Sequence, residues 1–84
     1  MTEVIIKSKN GLHARPASVI ADLASKYPGD VFLHKADKKF NAKSIMSVMS
    51  MGLRENESVV IEVIGDEAQA FEDKLKEIID NIVE

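Results

Sequence analysis

Cysteine is absent from this 84-residue chain, so it can form neither a disulfide nor a thiolate metal site, and nothing in it points to secretion. An excess of positive charge is also missing: 11 Lys and Arg stand against 14 Asp and Glu, for a net charge of −3. That balance gives no sign of the broad positive field that nucleic-acid binding needs, so DNA and RNA are not expected partners. Long hydrophobic runs are lacking too. The early stretch Val4-Ile5-Ile6 is far too short for a signal peptide or a membrane span, and a cytoplasmic protein without membrane insertion is expected. No G-x-x-x-x-G-K-[ST] or G-x-G-x-x-G loop occurs, which argues against nucleotide binding by the chain itself. Linkers, repeats and low-complexity segments are likewise not found.

What is present is enough apolar material, 45% of the residues, to build one core, and a chain this short has room for one domain spanning residues 1–84. Glu3 to Ser8 reads as a strand because the β-branched Val4, Ile5 and Ile6 suit a half-buried pleated surface, with Asn10-Gly11 marking its end. Ala14 to Tyr27 carries Ala17, Ile20, Ala21 and Ala24 at helical spacing, widened by Val19 and Leu23 and stopped by Pro28-Gly29. Asp30 to Ala36 and the neighbourhood of Phe40 predict a hairpin around an Asp37-Lys38 turn. Ser44 to Met51, closed by Gly52, suits a short helix, and Val59 to Ile64 is the strongest strand signal. Asp66 to Val83 reads as a helix with capping-box spacing at Asp66 and Gln69 and a stripe of Phe71, Leu75, Ile78, Ile79 and Ile82. The order β-α-β-β-α-β-α predicts an α+β fold of two layers, with helices covering one face of a mainly antiparallel sheet.

The chemistry concentrates in Gly11-Leu12-His13-Ala14-Arg15-Pro16-Ala17-Ser18, at the junction of the first strand and first helix. With His13 as N-cap, Pro16 falls in the first turn, where a missing N–H costs little. Donors from Arg15, Ala17 and Ser18 would then surround the imidazole at the positive end of the helix dipole, an anion site beside a nucleophile. Neutral imidazole attacks phosphorus, and its phosphorylated form stays reactive enough to pass the group on. Arg15 can grip the phosphoryl oxygens with its planar fork, which a Lys could not.

Plainer readings stand beside these. A lone His before a helix is ordinarily a solvated loop residue, and His34, on a predicted strand, reads as a half-exposed residue with no role. Two distant histidines without a clear carboxylate partner make no metal site. The Ser44 to Met49 segment reads either as a capped helix with methionines in the core or as a short helix that must leave part of Ile45, Met46 and Met49 exposed. In the second case Leu12, Ala14, Ile45, Met46 and Met49 form an apolar docking patch beside the donor atom. The acidic residues between Asp66 and Glu84 read as the solvated face of the last helix.

Two stretches carry a family likeness. Gly11-Leu12-His13-Ala14-Arg15-Pro16-Ala17 resembles the phosphorylation-site motif of the HPr family, the histidine-containing phosphocarriers of the bacterial sugar phosphotransferase system. Asn41-Ala42-Lys43-Ser44-Ile45-Met46 resembles that family's regulatory-serine segment. The resemblance implies an open-faced β-sandwich with three helices over a four-stranded antiparallel sheet in the order 1-4-2-3. It implies that His13 takes a phosphoryl group from enzyme I on Nδ1 and gives it to sugar-specific enzyme IIA proteins, with Arg15 stabilising the group. Such a chain is a monomeric protein substrate, not a turnover catalyst, and needs no cofactor or metal. Ser44 would be the target of an ATP-dependent HPr kinase/phosphorylase, and its phosphate would admit binding to the catabolite control transcription factor. Purely regulatory relatives lack the histidine, so His13 argues against that class. Relatives often carry Asn-Gly where this chain has Asp37-Lys38.

Overall fold

In the computed structural model, which describes residues 1–83, β1 is Thr2–Ile5, α1 Ala14–Ser25, β2 Asp30–Lys35, β3 Lys38–Asn41, α2 Ile45–Ser50, β4 Ser58–Ile64 and α3 Ala68–Asp80. The four strands form one antiparallel sheet in the order β1-β4-β2-β3, with Thr2 opposite Ile61 and Leu33 opposite both Ile61 and Phe40. Strand alternation explains the layering. Val4, Val31, Leu33, Val59, Ile61 and Val63 are buried on one face, where they meet Ala17, Ile20 and Ala24 of α1, Val48 of α2, and Leu75 and Ile79 of α3. Full burial of each such Val, Leu or Ile contributes roughly 1.5–3 kcal/mol, so this shared layer fixes where the three helices lie. The fold is the open-faced α+β sandwich expected, and its other sheet face is left uncovered.

Three local expectations change. β1 leaves the ladder at Ile5, earlier than the expected Ser8, because Ile6 bonds an irregular turn: its N–H donates to Glu57 O at 2.9 Å and its carbonyl accepts from Asn56 N–H at 2.7 Å. Asn56 there has a φ of 73°, a left-handed geometry that Asn tolerates. The hairpin turn is Ala36-Asp37, one residue before the expected Asp37-Lys38, since Lys35 and Lys38 are paired. Ala36 takes a φ of 55°, which alanine gives no reason to expect. The capping box of α3 does not form. Tyr27 Oη donates to Asp66 O at 2.7 Å and holds Asp66 outside the helix, Glu67 is the N-cap with a φ of 54°, and Gln69 Nε2 donates to Thr2 Oγ1 and Asp73 Oδ1.

The solvated acidic face also has an exception: Glu72 is 3% exposed. Its Oε1 accepts from the Thr2 hydroxyl at 2.8 Å and lies 3.3 Å from the Met1 amino group, while its Oε2 accepts from Val63 N–H at 2.9 Å. A side chain from α3 thus completes the sheet edge beside β4 beyond the reach of β1. Glu84, the last acid of the expected face, lies outside the described residues. Burial works to raise the Glu72 pKa, but the Thr2 hydroxyl, the Val63 N–H and the terminal ammonium outweigh it, and the net direction is downward. A carboxyl lowered in the fold stabilises it fully above the unfolded value and loses that contribution as pH falls through the folded one. Glu72→Ala should therefore cost roughly 1–3 kcal/mol at neutral pH by stranding a buried donor, and should flatten the acid limb of stability. Urea titrations of both proteins between neutral and acidic pH check this; parallel pH curves would deny Glu72 the role.

Candidate functional site

The approach to α1 is fixed by backbone contact. Gly11 has a φ of 69°, and a Cβ there would lie 2.1 Å from Leu53 O. Gly11 N–H donates to Ser8 O at 3.0 Å, and Leu12 N–H donates to Leu53 O at 3.1 Å. His13 follows as the N-cap in extended geometry, φ −80° and ψ −170°, and its side chain makes no capping bond. The imidazole is therefore not spent on closing the helix. Its Nε2 is sealed from solvent with no hydrogen-bond partner among the described residues.

The donor set around His13 differs from the expected one. Ala17 N–H donates to His13 O at 2.9 Å as the first bond of the helix, and Ser18 lies one residue deeper in α1. The Ala17 N–H is thus committed to the helix and not to an anion. Ala14, Arg15 and Pro16 precede that bond in the first turn of α1, and Pro16 carries no N–H. Pro16 is buried and anchors the turn, while Ala14 and Arg15 are exposed. Arg15, Pro16 and Val19 line a cleft of about 230 Å³ with Asn81, Ile82 and Val83. The site therefore brings an imidazole and a guanidinium together at the positive end of a 12-residue helix.

Ser44 is the N-cap of α2, and its Oγ accepts from Ser47 N–H at 3.2 Å. In α2 Val48 is buried, whereas Ile45, Met49 and above all Met46, 76% exposed, face outward. α2 ends at Ser50 with Met51 as its C-cap, and Leu53, whose carbonyl holds Leu12, follows two residues later, so the end of α2 lies near the approach to His13. Leu12 itself does not belong to the exposed patch. It is 4% exposed and packs in the core, because its bonded main chain turns the side chain inward. Val19, read from the sequence as part of the buried stripe, is 44% exposed, and its place one turn after Arg15 was the signal available. His34 lies on the uncovered sheet face, where its Nε2 is 2.7 Å from Glu62 Oε1, a carboxylate partner brought there by strand pairing and not by sequence proximity.

Comparison with known proteins agrees with this geometry. Residues 1–81 match the family model described as the PTS HPr component phosphorylation site. The chain is 44% identical to the phosphocarrier protein HPr of Mycoplasma capricolum over 64 residues, covering 76% of this chain and 72% of that one. It is 40% identical over 73 residues to the HPr-like protein Crh of Bacillus subtilis, covering 87% and 86%. Among solved structures, HPr-C-His from Thermoanaerobacter tengcongensis superposes with a TM-score of 0.88 at 39% identity, covering 99% of this chain and 96% of that one. A phosphorylation-site model matched over residues 1–81, relatives of 40% identity and more, and a superposition that covers nearly the whole chain place it in the HPr family of phosphocarrier proteins of the phosphotransferase system.

Proposed function

We propose that this chain accepts a phosphoryl group from enzyme I on His13 Nδ1 and passes it to sugar-specific enzyme IIA proteins, acting as their protein substrate in the cytoplasm. The observation that carries this reading is the N-cap histidine whose side chain makes no capping bond, with Nε2 sealed and Arg15 two residues on in the first turn of α1. Exposed Ala14, Ile45, Met46 and Met49, with Val19 added and Leu12 withdrawn, support a docking surface that excludes water from the group in transfer. Incubation with enzyme I and labelled phosphoenolpyruvate tests it: one acid-labile phosphoryl group per chain, discharged by enzyme IIA, is expected. No label, or a label that no enzyme IIA removes, would overturn it. A monomer is expected, and sedimentation checks it; a dimer, as solved for Crh of Bacillus subtilis and HPr of Thermoanaerobacter tengcongensis, would overturn it.

Arg15 stabilises the phosphoryl group in this reading by charge-assisted hydrogen bonds, each worth roughly 1.5–3 kcal/mol. Arg15→Ala puts a strong helix former at an exposed first-turn position, so the fold should persist. Transfer should slow by about 10- to 150-fold, with Arg15→Lys in between because it keeps the charge and loses the fork. Rapid-quench rates decide this, and an unchanged Ala variant would return Arg15 to the ordinary surface.

Ser44 is the proposed regulatory site, modified by an HPr kinase/phosphorylase and read by the catabolite control transcription factor. A phosphate of charge about −1.5 to −2 at the start of α2 is locally favourable, so its effect falls on partners. A dianion beside Ile45 and Met46 makes the patch costly to desolvate and repels an acidic partner surface. Ser44→Asp should stay folded and slow His13 phosphorylation, whereas Ser44→Ala should keep the rate and lose about 1 kcal/mol of stability with the cap. Equal rates in both would leave Ser44 a helix cap and nothing more.

A further inference from the structure

The peptide leading into His13 hangs on the Leu53 carbonyl, which accepts from Leu12 N–H at 3.1 Å and abuts Gly11. Leu53 belongs to no helix or strand, since it falls between α2 and β4. An irregular segment keeps its shape where its polar groups are partnered, and here the partners on either side of Leu53 are two charged side chains. Lys35, at the end of β2, donates from Nζ to Met51 O at 3.0 Å and to Gly52 O at 3.4 Å. Glu57 accepts Arg54 N–H on Oε1 at 2.7 Å. The ammonium and carboxylate then face each other at 3.6 Å, so the two residues before Leu53 and the one after are held by one ion pair. Glu57 is also fixed through its main chain, donating to Arg54 O at 3.1 Å and accepting from Ile6 N–H at 2.9 Å. The Arg54 N–H, against a smaller effect of burial and with help from Lys35, holds the Glu57 carboxyl below its ordinary range.

We propose that Lys35 and Glu57 are positioning residues for His13: by bracketing Leu53 they fix the carbonyl from which the reactive loop is suspended. This rests on His13 being the phosphoryl acceptor. Neither residue touches the transferred group. Both act through the placement of the attacking nitrogen, where a shift of about 1 Å can cost as much as 100-fold in rate.

Three variants test this. Glu57→Ala removes the acceptor for Arg54 N–H, Glu57→Gln keeps an acceptor and drops the charge, and Lys35→Met keeps the stem and releases the carbonyls. Two readouts are taken: single-turnover transfer from phosphorylated enzyme I across its concentration, and hydrogen exchange of the Leu12 amide with that of Ile61 as the core reference. Glu57→Ala and Lys35→Met should slow the saturated rate by about tenfold while leaving half-saturation within about twofold. Leu12 exchange should quicken by about tenfold with Ile61 unchanged, and Glu57→Gln should recover most of both losses. Wild-type rates and wild-type Leu12 exchange in the first two variants would overturn the proposal. So would a uniform loss of protection that reaches Ile61 and is not rescued by Gln, because it would mark a role in global stability. Should the unaltered protein take up no phosphoryl group, the acceptor reading falls by itself, and the exchange measurements still decide whether Lys35 and Glu57 hold the loop.

Discussion

His13→Ala is expected to take up no phosphoryl group from enzyme I, while His34→Ala takes up as much as the unaltered chain. The two histidines differ in what their rings are committed to. His34 Nε2 is engaged with Glu62 on the uncovered sheet face, and no helix start or arginine stands beside it. His13 has Nε2 buried without a partner among the described residues, and the first turn of α1 next to it. Because the His13 side chain makes no capping bond, Ala at that position removes chemistry without removing a helix cap. The variant should therefore melt near the unaltered protein, which separates a lost nucleophile from a lost fold. Intact-mass measurement after incubation with enzyme I and phosphoenolpyruvate gives the answer directly. Equal uptake by His13→Ala would move the acceptor elsewhere.

Gly11→Ala should be the most damaging change outside the reactive residue. A Cβ at this left-handed position costs roughly 1–2 kcal/mol by itself. Its 2.1 Å approach to Leu53 O adds to this, since a main-chain oxygen cannot swing aside as a flexible side chain would. The enforced backbone shift should cost a further 1–3 kcal/mol or so, for a total of about 2–5 kcal/mol. Gly52→Ala is the matched control. Its φ is 62°, yet nothing lies within 4 Å of the added carbon, so the conformational cost stands alone. Denaturant midpoints of the two variants separate the contributions, and equal losses would mean that contact with Leu53 contributes nothing. Gly11→Ala should also slow transfer, because the displaced residues precede the attacking ring.

Wherever one residue type has one physical use, the sequence spoke clearly. The β-branched run of β4, the apolar stripe of α3 and the Ser44 cap of α2 formed as their local chemistry required. The motif around His13 was likewise legible, since a proline three residues after a histidine marks a first turn. What stayed hidden depends on contacts between distant segments. Glu72 looks like any solvated acid until the edge of β4 is seen to lack a partner at Val63. Leu12 passes for a surface residue until Leu53 is found to bond its N–H. Ala17 was assigned as a donor because the exact residue that closes the first helical bond could not be read from composition, and a shift of that bond by one or two positions changes which N–H groups are free.

Ala14 opens α1 with its side chain exposed, so the main chain and side chain of one residue can serve different ends. Its main chain is the same whatever side chain the position carries, so the side chain can change to suit a new partner without altering the backbone next to His13. Recognition can drift at this position while the chemistry is inherited unchanged. If the chain exchanges one group with several proteins, as proposed above, this arrangement gives it a route to new partners that leaves the old reaction in place.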